Sequence, residues 1–251
     1  MIRVDEHISP FGTITIFRTK STGSLVYKQG GCCQSEADNN GVSLASYIHA
    51  IFGLILQTPA QSILLIGCGG GTLGTMLARR NREVTAVDVN PAAFAFARQY
   101  FDLPESVDCR VADGREFLLS DSRRYDAIVL DAFQGDHVPS HLQSLDFFTL
   151  VQSRLTSRGA MFANVYVAHD LDDAPDRIVN CMANVCPDVR LLDSQGWRNR
   201  NAIAMGGNVS ELNAPPLLDR PQIAADDIEL ELMTMRFRNW KRFLLRSSVL
   251  P

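Results

Sequence analysis

The 251-residue sequence predicts an α/β protein in which a Rossmann-like parallel sheet follows a small N-terminal β-rich cap. Two observations predict this class. From Ser62 onward, short apolar runs alternate with stretches of helical periodicity, the pattern of parallel strands joined by crossover helices. Before that point, β-branched segments precede a single helical pattern. We place the boundary after residue 58, which gives a cap with its linking helix at 1–58 and a larger domain at 59–251.

The cap is predicted from one hairpin and one helix. Thr13–Phe17 and Leu25–Tyr27 are rich in β-branched and aromatic residues, and a Ser-Thr-Gly-Ser turn at 21–24 separates them. Apolar residues then recur at helical spacing from Leu44 to Leu56, and Pro59 ends the pattern. These segments predict a β-hairpin followed by a helix that leads into the larger domain.

The larger domain contains seven apolar segments of strand length. Strands are predicted at Ile63–Ile66, Val84–Val87, Cys109–Val111, Ala127–Leu130, Met161–Val165, Val189–Leu192 and Asn201–Met205. The last two follow a predicted helix from Asp173 to Val185 and form a hairpin that closes a seven-stranded sheet of methyltransferase type. A final helix is predicted from Asp226 to Leu245, because it begins acidic and ends basic, as the helix dipole favours.

Composition and charge favour a globular protein that acts on small molecules. The chain is 46% hydrophobic and 21% charged, with a formal net charge of −4, which argues against a nucleic-acid platform and suits a small or cationic substrate. No apolar run reaches the length of a membrane span, and the N-terminus lacks the apolar core of a signal peptide. Six cysteines without CxxC pairs indicate reduced thiols. We therefore expect a cytoplasmic protein.

A glycine-rich turn follows the first strand of the predicted sheet. The segment Ile66-Gly67-Cys68-Gly69-Gly70-Gly71 passes from an apolar strand into a helix. Glycines at this point allow a sharp turn and a close approach of the backbone to a ligand. A P-loop is excluded because Gly-Lys-Ser/Thr is missing, and Thr72 stands where a dinucleotide fingerprint needs its third glycine.

Three acidic residues stand at the ends of the next strands. Asp88 lies about 20 residues after the loop, where a carboxylate accepts hydrogen bonds from ribose hydroxyls. Asp113 follows the third strand and is placed to accept from an adenine amine, and Asp131 follows the fourth. Carboxyl ends of parallel strands share one edge, the crevice where such sheets bind ligands. The alternative is that each aspartate caps the helix that follows its strand.

These motifs resemble the spermidine synthase (polyamine aminopropyltransferase) family, over roughly residues 10 to 165. Val84–Pro91, Ala112–Leu118 and Tyr125–Asp131 are similar to its second, third and fourth strand segments. The resemblance implies an S-adenosylmethionine-type cofactor and a catalytic role for Asp131. It is closer to divergent bacterial spermidine-synthase-like proteins, because Asp131–Leu142 departs from the polyamine enzymes.

The N-terminal part carries further resemblance. Gly30–Glu36 looks like the family's hairpin segment, which implies that Gln34 contacts the cofactor, and Tyr47 and His49 stand near the family's Tyr-His pair. For Tyr47 and His49, packing on an amphipathic helix is the alternative. The resemblance implies a catalytic set and a cofactor set. The catalytic residues are Asp131, Tyr47 and His49; the cofactor-binding residues are Gln34, Gly67, Gly69, Gly71, Asp88, Asp113, Gly114 and Asp131.

Two positions depart from the family. Gly70 stands where a polyamine synthase has an acid in its glycine loop, and Gln134 replaces a second acid beyond Asp131. Both changes weaken the case for a diamine, although Asp136 is a further acid nearby. Asp136, His137 and His141 are also readable as metal ligands, but Pro139 interrupts helical spacing and no further ligand is evident, so we predict no metal site.

Three functions fit these residues. The first is aminopropyl transfer from decarboxylated S-adenosylmethionine to an amine acceptor, with methylthioadenosine as the product. The second is methyl transfer from S-adenosylmethionine to a small molecule, which yields S-adenosylhomocysteine. The third is a non-catalytic binding protein of the same fold. We expect no nucleic-acid or membrane partner, and the resemblance implies a homodimer.

Overall fold

The N-terminal cap is a four-stranded antiparallel sheet in a computed structural model that describes residues 1–134 and 138–242. Its strands are β1 (Ile2–His7), β2 (Ile14–Arg18), β3 (Leu25–Gln29) and β4 (Cys32–Ala37), in the order β1-β2-β3-β4. The predicted hairpin is confirmed as β2 and β3. Sequence patterning missed β1 because nearly all of its residues are exposed, so it lacks the apolar alternation of a half-buried strand.

The helix that links the two parts is α1 (Ser46–Leu56), within the predicted segment. It does not lie on the surface, because its residues from Ile48 to Ile55 are buried and most of them join the apolar core of the larger domain. The helix therefore packs into the larger domain and anchors the linking segment there. The predicted division at residue 58 stays a prediction.

The larger domain contains an eight-stranded mixed sheet. In chain order, its elements are β5 (Ser62–Ile66), α2 (Thr72–Arg79), β6 (Glu83–Asp88), α3 (Pro91–Tyr100), β7 (Asp108–Val111), α4 (Gly114–Ser120), β8 (Tyr125–Leu130), α5 (Leu145–Ser153), β9 (Leu155–Val167), α6 (Ala174–Ala183), β10 (Val189–Asp193), β11 (Arg200–Gly207), α7 (Ala225–Thr234) and β12 (Arg236–Phe237). Helices cover both faces of this sheet. On each face, a separate apolar cluster lies between the sheet and the helices that cover it. The predicted α/β class is confirmed.

The strand order is β12-β10-β11-β9-β8-β5-β6-β7. Strands β5 to β9 run parallel, whereas β11 pairs antiparallel with both β9 and β10, as the predicted closing hairpin requires. The seven predicted strands are all present, and β12 adds a short eighth at the edge beside β10. The carboxyl ends of β5, β6 and β8 meet at one edge, next to the cap.

The predicted C-terminal helix is wrong in its second half. Helix α7 ends at Thr234, and Arg236 begins β12. One of the basic residues that looked like a helix end instead forms ion pairs: Arg238 contacts Asp193 at 2.8 Å and Asp176 at 2.9 Å. Buried carboxylates thus outweigh the weak local preference of cations for a helix C-terminus. Residues 243–245 of that prediction lie outside the described residues.

Candidate functional site

The glycine loop after β5 passes close to the segment that follows β8. Gly67 has a φ of 99°, and a Cβ atom built on it would lie 2.2 Å from the Asp131 carbonyl oxygen. Only glycine combines that left-handed backbone with that approach. The close contact places the loop and the Asp131 side chain on the same edge of the sheet, as the sequence predicts.

Asp88 holds the loop from the end of β6. Its carboxylate accepts hydrogen bonds from the backbone N–H groups of Cys68 at 2.9 Å and of Asn90 at 2.8 Å. Burial raises the pKa of Asp88, although backbone N–H groups that include Gly69 oppose the shift. A carboxylate has acceptor positions beyond these contacts, so the group retains capacity for a ligand hydroxyl.

Asp113 has two structural contacts at the start of α4. Its Oδ1 accepts from the N–H groups of Arg115 at 2.9 Å and Glu116 at 3.2 Å, so the helix-capping alternative holds for this residue. Its Oδ2 lies 2.8 Å from the His141 Nε2. Burial favours a higher pKa for Asp113, but these hydrogen bonds outweigh burial and lower the pKa. Asp136 and His137, which were considered above as metal ligands and not assigned as such, lie outside the described residues.

Asp131 is held by two side chains in a largely buried position. Asn164 donates to its Oδ1 at 2.8 Å, and the Tyr47 hydroxyl donates to its Oδ2 at 3.3 Å. Asn201 in turn donates to the Asn164 Oδ1 at 2.9 Å, which fixes the orientation of that amide. Burial raises the pKa of Asp131, and the hydrogen bonds from Asn164 and Tyr47 oppose the shift. A carboxylate with a raised pKa is a better proton acceptor than an exposed one.

The two candidate residues on α1 occupy different surroundings. Tyr47 reaches Asp131, and contact with this buried carboxylate adds to burial in raising the pKa of the phenol. His49 is 1% exposed, does not line the main cavity, and lies 2.8 Å from the Ser43 carbonyl oxygen through Nε2. Burial lowers its pKa. Tyr47 therefore belongs to the site, whereas the structure gives His49 a packing position.

A cavity of about 680 Å³ lies between the cap and the sheet edge. Its volume is in the range of small-molecule sites. The predicted cofactor residues that line it are Gln34, Gly67, Gly69, Asp88, Asp113, Gly114 and Asp131, and Tyr47 lines it as well. Gly71 lies behind the loop, at the start of α2. The structure thus brings together residues that are up to 97 positions apart, from Gln34 to Asp131.

A second cavity, of about 430 Å³, adjoins the first. The two cavities share the lining residues Gln34, Ser35, Tyr47 and Phe133, and the second also reaches Glu36, Asn164, Tyr166 and Asn201. Sequence reasoning missed Asn164 and Asn201. Asn164 could have been found from the sequence, since it is a polar residue inside the apolar strand Met161–Val165. A buried amide needs hydrogen-bond partners, so its position indicates a polar site nearby.

Comparisons with known proteins agree with this architecture. Residues 63–159 match the family model described as a methyltransferase domain. A polyamine aminopropyltransferase from Vibrio vulnificus is 32% identical over 128 residues, which cover 48% of this chain and 43% of the relative. The chain spans about half or less of the length of the first curated relatives it matches.

Two solved structures share the fold over most of the chain. A probable spermidine synthase from Corynebacterium glutamicum has a TM-score of 0.75 at 19% identity and covers 99% of both chains. A spermidine synthase in complex with the transition-state analogue AdoDATO has a TM-score of 0.69 at 16% identity, and covers 91% of this chain and 84% of that one. With the curated relatives, these matches confirm the resemblance drawn from the sequence: the chain is similar to polyamine aminopropyltransferases over about half of its length and shares the fold of the spermidine synthases.

Proposed function

We propose that the chain is a transferase that moves an aminopropyl group from decarboxylated S-adenosylmethionine to a small amine. The observation that carries the proposal is the position of Asp131. Its buried carboxylate is oriented by Asn164 and Tyr47 and lines the cavity beside the glycine loop. The curated aminopropyltransferases support this choice of reaction.

The main cavity fits a nucleoside with a sulfonium group. In this proposal Asp88 accepts hydrogen bonds from the ribose hydroxyls, Asp113 accepts one from the adenine amine, and Gln34 of the cap contacts the ligand; all three residues line the cavity. Gly67 and Gly69 line this cavity, so the backbone of the loop forms part of its wall. The methyltransferase-domain match, and the AdoDATO bound by the similar spermidine synthase, support an S-adenosylmethionine-related ligand.

Asp131 is the proton acceptor of the proposed reaction. When bound, the sulfonium supplies an activated carbon–sulfur bond. The acceptor nitrogen forms a bond to the propyl carbon while the carbon–sulfur bond breaks, and methylthioadenosine leaves as a neutral thioether. Asp131 takes the proton that the nitrogen loses, and Asn164 and Tyr47 keep the carboxylate aimed at it.

The second cavity is placed for the amine acceptor. It opens beside Tyr47 and Asn164, the two residues that hold Asp131, so an amine within it approaches the carboxylate. Glu36 is the acidic residue on its wall. A carboxylate there favours an acceptor that carries positive charge. We therefore propose a small amine, rather than a neutral alcohol, as the acceptor.

The substitution Asp131→Asn tests the proposed role. We expect the turnover number for aminopropyl transfer to fall by roughly 10²- to 10⁴-fold, because general-base assistance is lost. The dissociation constant for methylthioadenosine, measured by calorimetry, should change little. Asp146→Asn, on the exposed first turn of α5, is the matched control and should leave turnover unchanged. Full activity in Asp131→Asn would sink the proposed role.

Methyl transfer is a second candidate because of Gly70. The residue brings no acid to the loop, so the loop does not repel the carboxylate of S-adenosylmethionine. Production of S-adenosylhomocysteine from S-adenosylmethionine and a small acceptor, without aminopropylated product, would favour this candidate over the first.

A further inference from the structure

Ser35 lies where three cavities of the described chain adjoin. It lies on β4 of the cap and lines the main cavity, the second cavity and a smaller one behind the glycine loop. Its Oγ accepts a hydrogen bond from the Gly70 backbone N–H at 3.0 Å. One cap side chain thus touches the loop at the point where nucleoside and acceptor cavities join.

Ser35 also excludes any side chain from position 70. A Cβ atom on Gly70 would lie 2.9 Å from the Ser35 Cβ and 3.2 Å from the Phe101 ring. Phe101 is fully buried and packs on Tyr27 of the cap, so it cannot turn away cheaply. A carboxylate carried by the loop at position 70 is therefore incompatible with this packing. The side-chain group that lies next to Gly70 is instead the Ser35 hydroxyl.

The hydroxyl offers neutral, two-way hydrogen bonding. A serine has one donor and two acceptor positions, and Gly70 uses one acceptor position. Within the described chain, the Ser35 hydroxyl hydrogen donates to no protein group. It is available to a carboxylate oxygen, while the remaining lone pair is available to an ammonium group.

We propose that Ser35 sets the cofactor specificity of this site, so that S-adenosylmethionine binds alongside its decarboxylated form. The neutral hydroxyl accommodates the carboxylate that distinguishes the two, where an acid would repel it. This rests on the proposed function, and it implies that S-adenosylmethionine is a competitive inhibitor of aminopropyl transfer.

Calorimetric titration of three nucleosides tests this assignment. S-adenosylmethionine, its decarboxylated form and methylthioadenosine share the nucleoside but differ in the tail. In the unaltered protein we expect the first two to bind within about threefold of each other. In Ser35→Asp, S-adenosylmethionine should bind at least about tenfold more weakly through charge repulsion, with methylthioadenosine unchanged. Ser21→Asp, at the exposed hairpin turn, adds the same charge away from the cavities and should change nothing.

Two results would overturn the assignment. One is a binding preference of about a hundredfold for the decarboxylated form in the unaltered protein. The other is a Ser35→Asp variant that binds methylthioadenosine normally and binds S-adenosylmethionine as tightly as the decarboxylated form. If Ser35→Asp fails to bind methylthioadenosine, the Ser35→Ala variant is measured instead. Removing the hydroxyl should weaken the binding of S-adenosylmethionine more than that of its decarboxylated form. An unchanged ratio of these two affinities would refute the role of Ser35. If none of the three binds the unaltered protein, the nucleoside site itself fails; if they bind as expected without transfer, only the proposed reaction fails.

Discussion

The proposed role of Asp131, together with its hydrogen bond from Asn164, predicts how activity should depend on pH. The proposed reaction needs the carboxylate, and burial raises the pKa of Asp131, so activity should fall on acidification at a pH above the ordinary carboxyl value of 3.8. Asn164 stabilises the charged form. In Asn164→Ala the pKa should rise further, and the acidic limb of the kcat profile should move to higher pH.

The kcat profile of Asn164→Ala separates positioning from general loss of structure. A variant that is merely destabilised loses activity at all pH values without moving the limb. Asn208→Ala, at an exposed position after β11, is the control and should keep the original profile. An unmoved limb in Asn164→Ala would contradict the role given to this hydrogen bond.

At the scale of elements, Gly67 allows the turn after β5 to pass close to the segment that follows β8. Gly67→Ala introduces a side chain at a positive φ and against the Asp131 carbonyl oxygen, so we expect a loss of about 2 kcal/mol or more in the free energy of unfolding. Gly30 also has a positive φ, but its Cβ position is open. Gly30→Ala should therefore cost only about 1–2 kcal/mol. Equal losses in urea unfolding would show that the contact contributes nothing.

A buried ion-pair network connects β10 and β11 to the segment that follows β12. Asp193 contacts Arg200 at 2.7 Å and Arg238 at 2.8 Å. Burial opposes its ionisation, but these two arginines lower its pKa. Asp193→Asn should lower the free energy of unfolding by about 3 kcal/mol at neutral pH, because two arginines lose a buried partner. Arg220→Ala, which breaks exposed pairs with Asp226 and Glu229, should cost less than about 1 kcal/mol.

The pH dependence of the same variant has a definite sign. Since the folded-state pKa of Asp193 is lowered, its contribution is fully present above the unfolded value of 3.8 and is lost as the pH falls through the folded value. The difference in unfolding free energy between Asp193→Asn and the unaltered protein should therefore shrink on acidification below pH 3.8. A constant difference would contradict the assignment.

The elements show where sequence reasoning succeeds and where it ends. Strands β5, β6, β8, β9, β10 and β11 were predictable because each buries an apolar run, whereas β7 has no buried residue and was predictable only from its place in the alternation of strands and helices. Strand β12 was not, because it has two residues and depends on long-range pairing with β10. Ser35 was likewise invisible as a site residue, since its importance comes from a contact with Gly70, 35 positions away. The motif glycines and acids were predictable because local chemistry restricts those positions.

At the scale of the whole molecule, residues of the cap and of the large sheet together line the main cavity, of about 680 Å³. Methylthioadenosine should therefore stabilise both parts, by about 2.7 kcal/mol at a concentration a hundred times its dissociation constant. Hydrogen exchange should slow in β4 as well as in the glycine loop, because Gln34 and Ser35 line the cavity. Protection confined to residues 59–242 would contradict a cap that contributes to the site.

The central claim is that this cavity supports aminopropyl transfer, and product analysis tests it most directly. The purified chain is incubated with decarboxylated S-adenosylmethionine and a panel of small amines, and the products are identified by mass spectrometry. We predict stoichiometric methylthioadenosine and an amine heavier by one aminopropyl group, and in Asp131→Asn both should form at least about a hundredfold more slowly. Nucleoside binding without either product, or methylated acceptor from S-adenosylmethionine alone, would contradict the claim.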